Sequence, residues 1–206
     1  RKLPSQPQPL PVELSVPSSG LGGAPARCFY RKDERFRQPK AVVAFRLYCP
    51  PAAADARGYL LAQMWCNAVM EELNEYAYDA SSAGLHYSLN AFPGGLEVSV
   101  SGFNDKLPLL LLEVAKKMCA AVTFAPGTFT IVRDRFERSL RNRALKQRPC
   151  DQAARRAREL RYSLAFPPEE QLAVLLTLSA SDFEGENCKL LERCHLEALL
   201  MGNLDE

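Results

Sequence analysis

Around residue 200 the sequence runs C-H-L-E-A-L-L-M-G-N, Cys194 to Asn203, and two different architectures can be built on those ten residues. In one, His195, Glu197, Cys194 and the nearby Cys188 supply the donor types of a zinc centre. In the other the run is a β-strand, and its side chains alternate between two faces. His195 and Glu197 then share a face with Leu199 and Met201, while Cys194 points the other way. A zinc site takes three or four protein ligands, and the other histidine of the sequence, His86, belongs to a different strand-like run. Two donors on one face are too few, so the stretch reads as a strand.

Working outward from it, A-V-V-A-F-R-L-Y-C (Ala41 to Cys49) is rich in β-branched and aromatic residues and is bounded by Pro39 and Pro50, which marks another strand and the start of the sheet. Asp55 is placed to cap a long helix to about Ser81, because Leu60, Leu61, Met64, Trp65, Ala68, Val69 and Leu73 recur at helical spacing, and Gly84 ends it. L-H-Y-S-L-N-A-F and G-L-E-V-S-V-S-G-F, parted by Pro93 and Gly94, form a hairpin in which Leu96, Val98 and Val100 alternate with Glu97, Ser99 and Ser101. Further helices are predicted after Asn104 and Asp105, and at about 126 to 148, 151 to 164, 168 to 178 and 181 to 193. The order is that of an α+β domain, a largely antiparallel sheet with helices packed on one face. Residues 1–27 hold six prolines and Gly20, Gly22 and Gly23, and read as an extended arm or linker that adds little to stability, leaving 28–206 as the domain.

Composition limits the function. At 206 residues with 47% hydrophobic content the chain can bury a core of its own. Its longest apolar run, L-P-L-L-L-L from Leu107 to Leu112, is far short of the roughly 20 residues of a membrane span. The absence of a signal-like apolar run, and a first residue other than Met, read as a piece of a longer protein. Seven irregularly spaced cysteines without a C-x-x-C pair read as reduced, buried thiols of a reducing, cytoplasm-like compartment. There is no G-x-S-x-G and no phosphate-cradling glycine loop, and catalysis by this chain alone is not expected. Glu71, Glu75 and Asp79 stand four apart on the long helix and read as a solvated acidic face. The net charge of +2 conceals a basic stretch from Arg133 to Arg161, opposed only by Asp134, Glu137, Asp151 and Glu159, whose Arg141, Arg143, Arg148 and Arg155 are the candidate substrate contacts. The plainer reading of that stretch is the solvated outside of two helices.

Five blocks carry a resemblance: F-Y-R-K-D-E-R-F-R-Q-P-K, L-N-E-Y-A-Y-D-A-S-S-A-G-L-H-Y-S-L-N, S-G-F-N-D-K-L-P-L-L-L, R-S-L-R-N and H-L-E-A-L-L-M-G-N. In order and spacing, over about residues 28 to 203, they resemble the middle, third domain of the M16 metallopeptidases, the family of insulin-degrading enzyme, nardilysin and pitrilysin. The resemblance implies an M16-type (LuxS-like metallohydrolase) fold. It also implies a parent of four similar domains in two halves closing around a peptide-holding chamber, with zinc on an H-x-x-E-H helix of the first domain. Here the corresponding helix carries Trp65, Cys66, Asn67, Glu71 and Glu72 and no histidine, so no zinc ligand or catalytic glutamate maps onto this chain. The expected role is a non-catalytic middle domain of a zinc endopeptidase, partnered by other domains of the same polypeptide and by peptide substrates. A catalytically silent assembly module of the same fold is the alternative. A basic nucleic-acid binder is the weaker one, since no aromatic interleaving accompanies the arginines.

Overall fold

The computed structural model describes residues 10–14, 26–120, 124–125, 127–146 and 148–204. Its strands are β1 (Val12–Leu14), β2 (Ala26–Lys32), β3 (Lys40–Tyr48), β4 (His86–Phe92), β5 (Gly95–Phe103) and β6 (His195–Gly202). Its helices are α1 (Pro50–Ala54), α2 (Ala56–Ser82), α3 (Leu107–Ala120), α4 (Thr128–Lys146), α5 (Pro149–Arg161), α6 (Pro168–Thr177) and α7 (Ala180–Leu190). The strands form one sheet in the order β1-β2-β6-β3-β5-β4, in which β2 and β6 are parallel and every other pair is antiparallel. This is the α+β layering the sequence predicts.

Local chemistry sets the elements. Asp55 caps α2 by accepting the Gly58 N–H at 2.7 Å, satisfying a donor that the first turn leaves open. Gly58 is required for its missing side chain: a Cβ there would stand 1.9 Å from the Pro51 carbonyl oxygen, so α1 and α2 could not approach. Gly84 takes a φ of 75°, the left-handed turn that ends α2 and lets the Leu85 N–H reach Ala80 O at 2.9 Å. Ser179 and Asp182 form a reciprocal capping box at the start of α7.

Three features depart from the sequence reading. The sheet does not start at Ala41, because β1 and β2 precede β3. The boundary drawn at 27/28 falls inside β2, and three residues of the proline-rich arm pair as an edge strand, too short to stand out among Pro11 and Pro17. Cys119 and Cys150 are exposed, whereas Cys49 and Cys66 are buried. Burial, with Cys194 beside it, pushes the Cys49 thiol up to about 12, and burial, with Cys49 beside it, pushes Cys66 up as well. Both are inert thiols.

The core lies between the helices and one face of the sheet. Leu96, Val98 and Val100 of β5 are fully buried there, with Leu60, Met64, Trp65, Val69 and Leu73 of α2 packed in the same cluster. Each such side chain contributes on the order of 1.5–3 kcal/mol from burial, so α2 is the main cover of the sheet. No helix among the described residues is long and apolar enough to cross a membrane. Val100 stands between Val43 and Tyr87 at 0% exposure. Val100→Asp places an unpartnered carboxylate there, at a cost on the order of 4 kcal/mol or more, and circular dichroism should show an unfolded chain. Cooperative melting near the wild-type temperature would contradict the face assignment.

Candidate functional site

The second face of the sheet is laid out by strand register. Because side chains alternate, the residues opposed across five strands form rows on that face. One row reads Arg27, Glu197, Arg46, Glu97 and Asn90 from β2 to β4, alternating in sign over its first four members. The next reads Phe29, Leu199, Ala44, Ser99 and Ser88, and the one beyond reads Arg31, Met201, Val42, Ser101 and His86. The half built on β2, β6 and β3 is thus apolar beside a charged border, and the half on β5 and β4 is polar. Val42 is 44% exposed and Met201 38%. A 340 Å³ depression lies over Phe29, Ala44 and Leu199, edged by Arg46, Glu97 and Glu197.

The charged row is paired within itself. Arg46 Nε donates to Glu97 Oε2 at 2.7 Å, and Arg27 Nε donates to Glu13 Oε1 at 2.9 Å while its Nη1 lies 3.9 Å from Glu197 Oε1. The Arg27 guanidinium lowers the Glu13 carboxyl below its usual value, and Glu97 raises Arg46. Arginine side chains also lie over aromatic rings: Arg27 over Phe29 of the apolar strip at 5.0 Å, and Arg46 over Phe92 of β4 at 5.6 Å.

His195 and Glu197 belong to this surface. The Tyr48 hydroxyl donates to Glu197 Oε2 at 3.1 Å, His195 Nε2 is 3.7 Å from Glu197 Oε1, and the Tyr48 and His195 rings stand 5.8 Å apart. His86 is three strands and three rows away, which at the spacings of a β-sheet is about 25 Å. Imidazole nitrogens bind zinc at about 2 Å, so the two histidines cannot share an ion. Among the described residues no group of three His, Cys, Asp or Glu side chains could hold a metal. The described residues therefore do not fit a zinc centre.

On the acidic face of α2, Glu75 and Asp79 are exposed as expected, while Glu71 pairs with Arg135 of α4 at 3.1 Å; Glu72, off that face, pairs with Lys117 of α3 at 3.8 Å. Of the four arginines singled out by the sequence, Arg143 and Arg155 line one cleft, and Arg141 and Arg148 do not. Arg141 pairs with Glu137 at 2.8 Å and Arg148 with Asp151 at 3.3 Å, each within its own helical surroundings. Arg155 is held by Glu159 at 3.2 Å, and Arg143 stands near the Tyr59 hydroxyl. The open-face rows went unpredicted as a site; the signal was the alternation R-C-F-Y-R beside H-L-E-A-L-L-M, which shows its meaning only once β2 and β6 are paired.

With this geometry in place, comparison with known proteins is decisive. Residues 21–174 match the family model described as the middle or third domain of peptidase M16. The chain belongs to the M16 peptidase family, as a middle domain. It is 32% identical to a nardilysin-like protein of Arabidopsis thaliana over 220 residues, covering 99% of this chain and 21% of that protein. It is 32% identical to the insulin-degrading enzyme of Homo sapiens over 205 residues, covering 98% of this chain and 20% of that enzyme. The crystal structure of pitrilysin shares the fold with a TM-score of 0.81 at 20% identity, over 98% of this chain and 21% of that one. This M16 middle domain therefore spans about a fifth of the length of these relatives.

Dialysed against metal-free buffer, the chain is expected to retain far less than one zinc per molecule by elemental analysis, with or without His195→Ala. One zinc per chain that disappears in His195→Ala would restore the metal-centre reading of C-H-L-E.

Proposed function

We propose that this middle domain is a non-catalytic wall of the peptide-holding chamber of a zinc endopeptidase, with its open sheet face turned to the substrate. The observation that carries the proposal is the one-sided cover of the sheet. Helices bury one face, while the other presents an apolar strip of Phe29, Leu199, Met201 and Val42 beside a row of alternating charges. An apolar strip with a polar border suits unfolded peptide: it offers contact area to varied side chains, and the paired charges keep the border wet. Zinc and the hydrolytic step belong to another domain of the parent, as in the M16 resemblance. This chain contributes enclosure and orientation, which count toward catalysis by holding the peptide in place.

The charge pattern supports this reading over a nucleic-acid one. Arg135, Arg141, Arg148, Arg155 and Arg156 are each held by a carboxylate, so the stretch 133–161 offers less free positive charge than its composition implies.

In the full-length parent, Leu199→Glu combined with Phe29→Glu should lower cleavage of a long unfolded peptide about ten-fold. A short fluorogenic peptide that needs only the zinc cleft should be cut at the wild-type rate. Unchanged cleavage of the long peptide would contradict the wall assignment, and equal loss on both peptides would point to misfolding or a different role for the face.

A further inference from the structure

At the end of the domain where α2 begins, a 520 Å³ cleft opens between α4, α5, the segment 162–166 and the start of α6. Its walls are aromatic. Tyr59 and Phe166 stand with ring centroids 5.5 Å apart, and Tyr162 adds an exposed ring. Its floor is fixed in advance by Gln171, which is 4% exposed: Nε2 donates to Phe166 O at 2.7 Å, and Oε1 accepts from Gln63 Nε2 at 3.0 Å. A buried amide with both ends bonded locks the aromatic segment to α2 and α6, so the cleft is preformed.

Its electrostatics divide into a closed part and an open part. Arg155 and Arg156 are matched by Glu159 and Glu169, at 3.2 and 3.7 Å for Arg155 and 2.9 and 3.1 Å for Arg156. Two guanidinium groups and two carboxylates cancel. Arg143 and Arg158 also line the cleft, both side chains are exposed, and neither has a carboxylate within 4.0 Å among the described residues. Arg143 is close enough to Tyr59 to pull its phenol down against the larger, raising effect of burial. Two uncompensated forks beside paired aromatic rings are the donor set for a carboxylate, and the rings take a flat apolar group next to it.

We infer that this cleft is a binding site for acidic peptide segments that carry an aromatic residue beside a carboxylate. Arg143 and Arg158 hold the carboxylate, and Tyr59, Tyr162 and Phe166 hold the ring. The site lies wholly within this chain and away from the open sheet face, so it stands independently of the chamber-wall reading. It narrows the four basic candidates of the sequence to Arg143 and adds Arg158.

The test is fluorescence anisotropy of the 206-residue chain with labelled peptides of sequence EEFEE, EEAEE and QQFQQ. EEFEE is expected to bind at least ten-fold more tightly than either of the others, and to weaken as salt rises. Arg143→Gln with Arg158→Gln should reduce EEFEE binding ten-fold or more with unchanged thermal melting, as expected for exposed side chains. Tyr162→Ala should abolish the preference for EEFEE over EEAEE while retaining the preference for acid over amide. Equal binding of EEFEE and QQFQQ, or an unaltered affinity in the double arginine variant, would overturn the inference. Displacement of EEFEE by inorganic phosphate at equal concentration would also overturn it, by showing a general anion site with no role for the rings.

Discussion

Everything in this domain depends on β6 lying between β2 and β3. A strand from the far end of the fold pairs parallel with one neighbour and antiparallel with the other, and without it the sheet separates into β1-β2 and β3-β5-β4. Its two faces do different work. Leu200 packs with the core beneath the helices, while Glu197, Leu199 and Met201 lie on the side without helices. A slip of one residue would exchange these sets, placing Glu197 under the helices, so the register is held by the cost of burying a charge as well as by backbone hydrogen bonds.

That constraint also explains why the sequence was informative in some places and silent in others. L-E-V-S-V-S displays a period of two because β5 has one dry and one wet face, and α2 displays helical spacing because it is the main cover of the core. β2 was obscured because its outward positions, Arg27, Phe29 and Arg31, mix charge with an aromatic ring, so that A-R-C-F-Y-R-K shows no plain alternation of apolar and polar residues. β1 has only three residues between prolines. The motif blocks of the resemblance compensated, since F-Y-R-K and H-L-E-A-L-L-M-G-N together span the β2–β6 pairing that periodicity alone could not establish.

The arginines show the limit most clearly. Charge density along 133–161 is plain in the sequence, and so are its i,i+3 and i,i+4 pairs, but part of the pairing is tertiary: Glu71 reaches Arg135 from α2, and Glu169 reaches Arg155 and Arg156 from α6. Which cations remain uncompensated therefore depends on how the helices cross. Arg143 and Arg158 are among those left without a carboxylate, and the aromatic rings beside them come from α2 and from the segment before α6. Likewise, the His195–Glu197 pair has local donor chemistry but no third ligand, because the sheet order puts His86 on the far edge strand.

The proposed chamber wall holds unfolded substrate peptide against the open sheet face and not against the exposed side of α3. Site-specific photo-crosslinking in the full-length parent tests it most directly, with the photoreactive residue at position 199 on the open face or at position 112 on the exposed side of α3. The face assignment requires covalent capture of an unfolded peptide from position 199 and none above background from position 112. Capture from position 112 alone, or from neither, would contradict it.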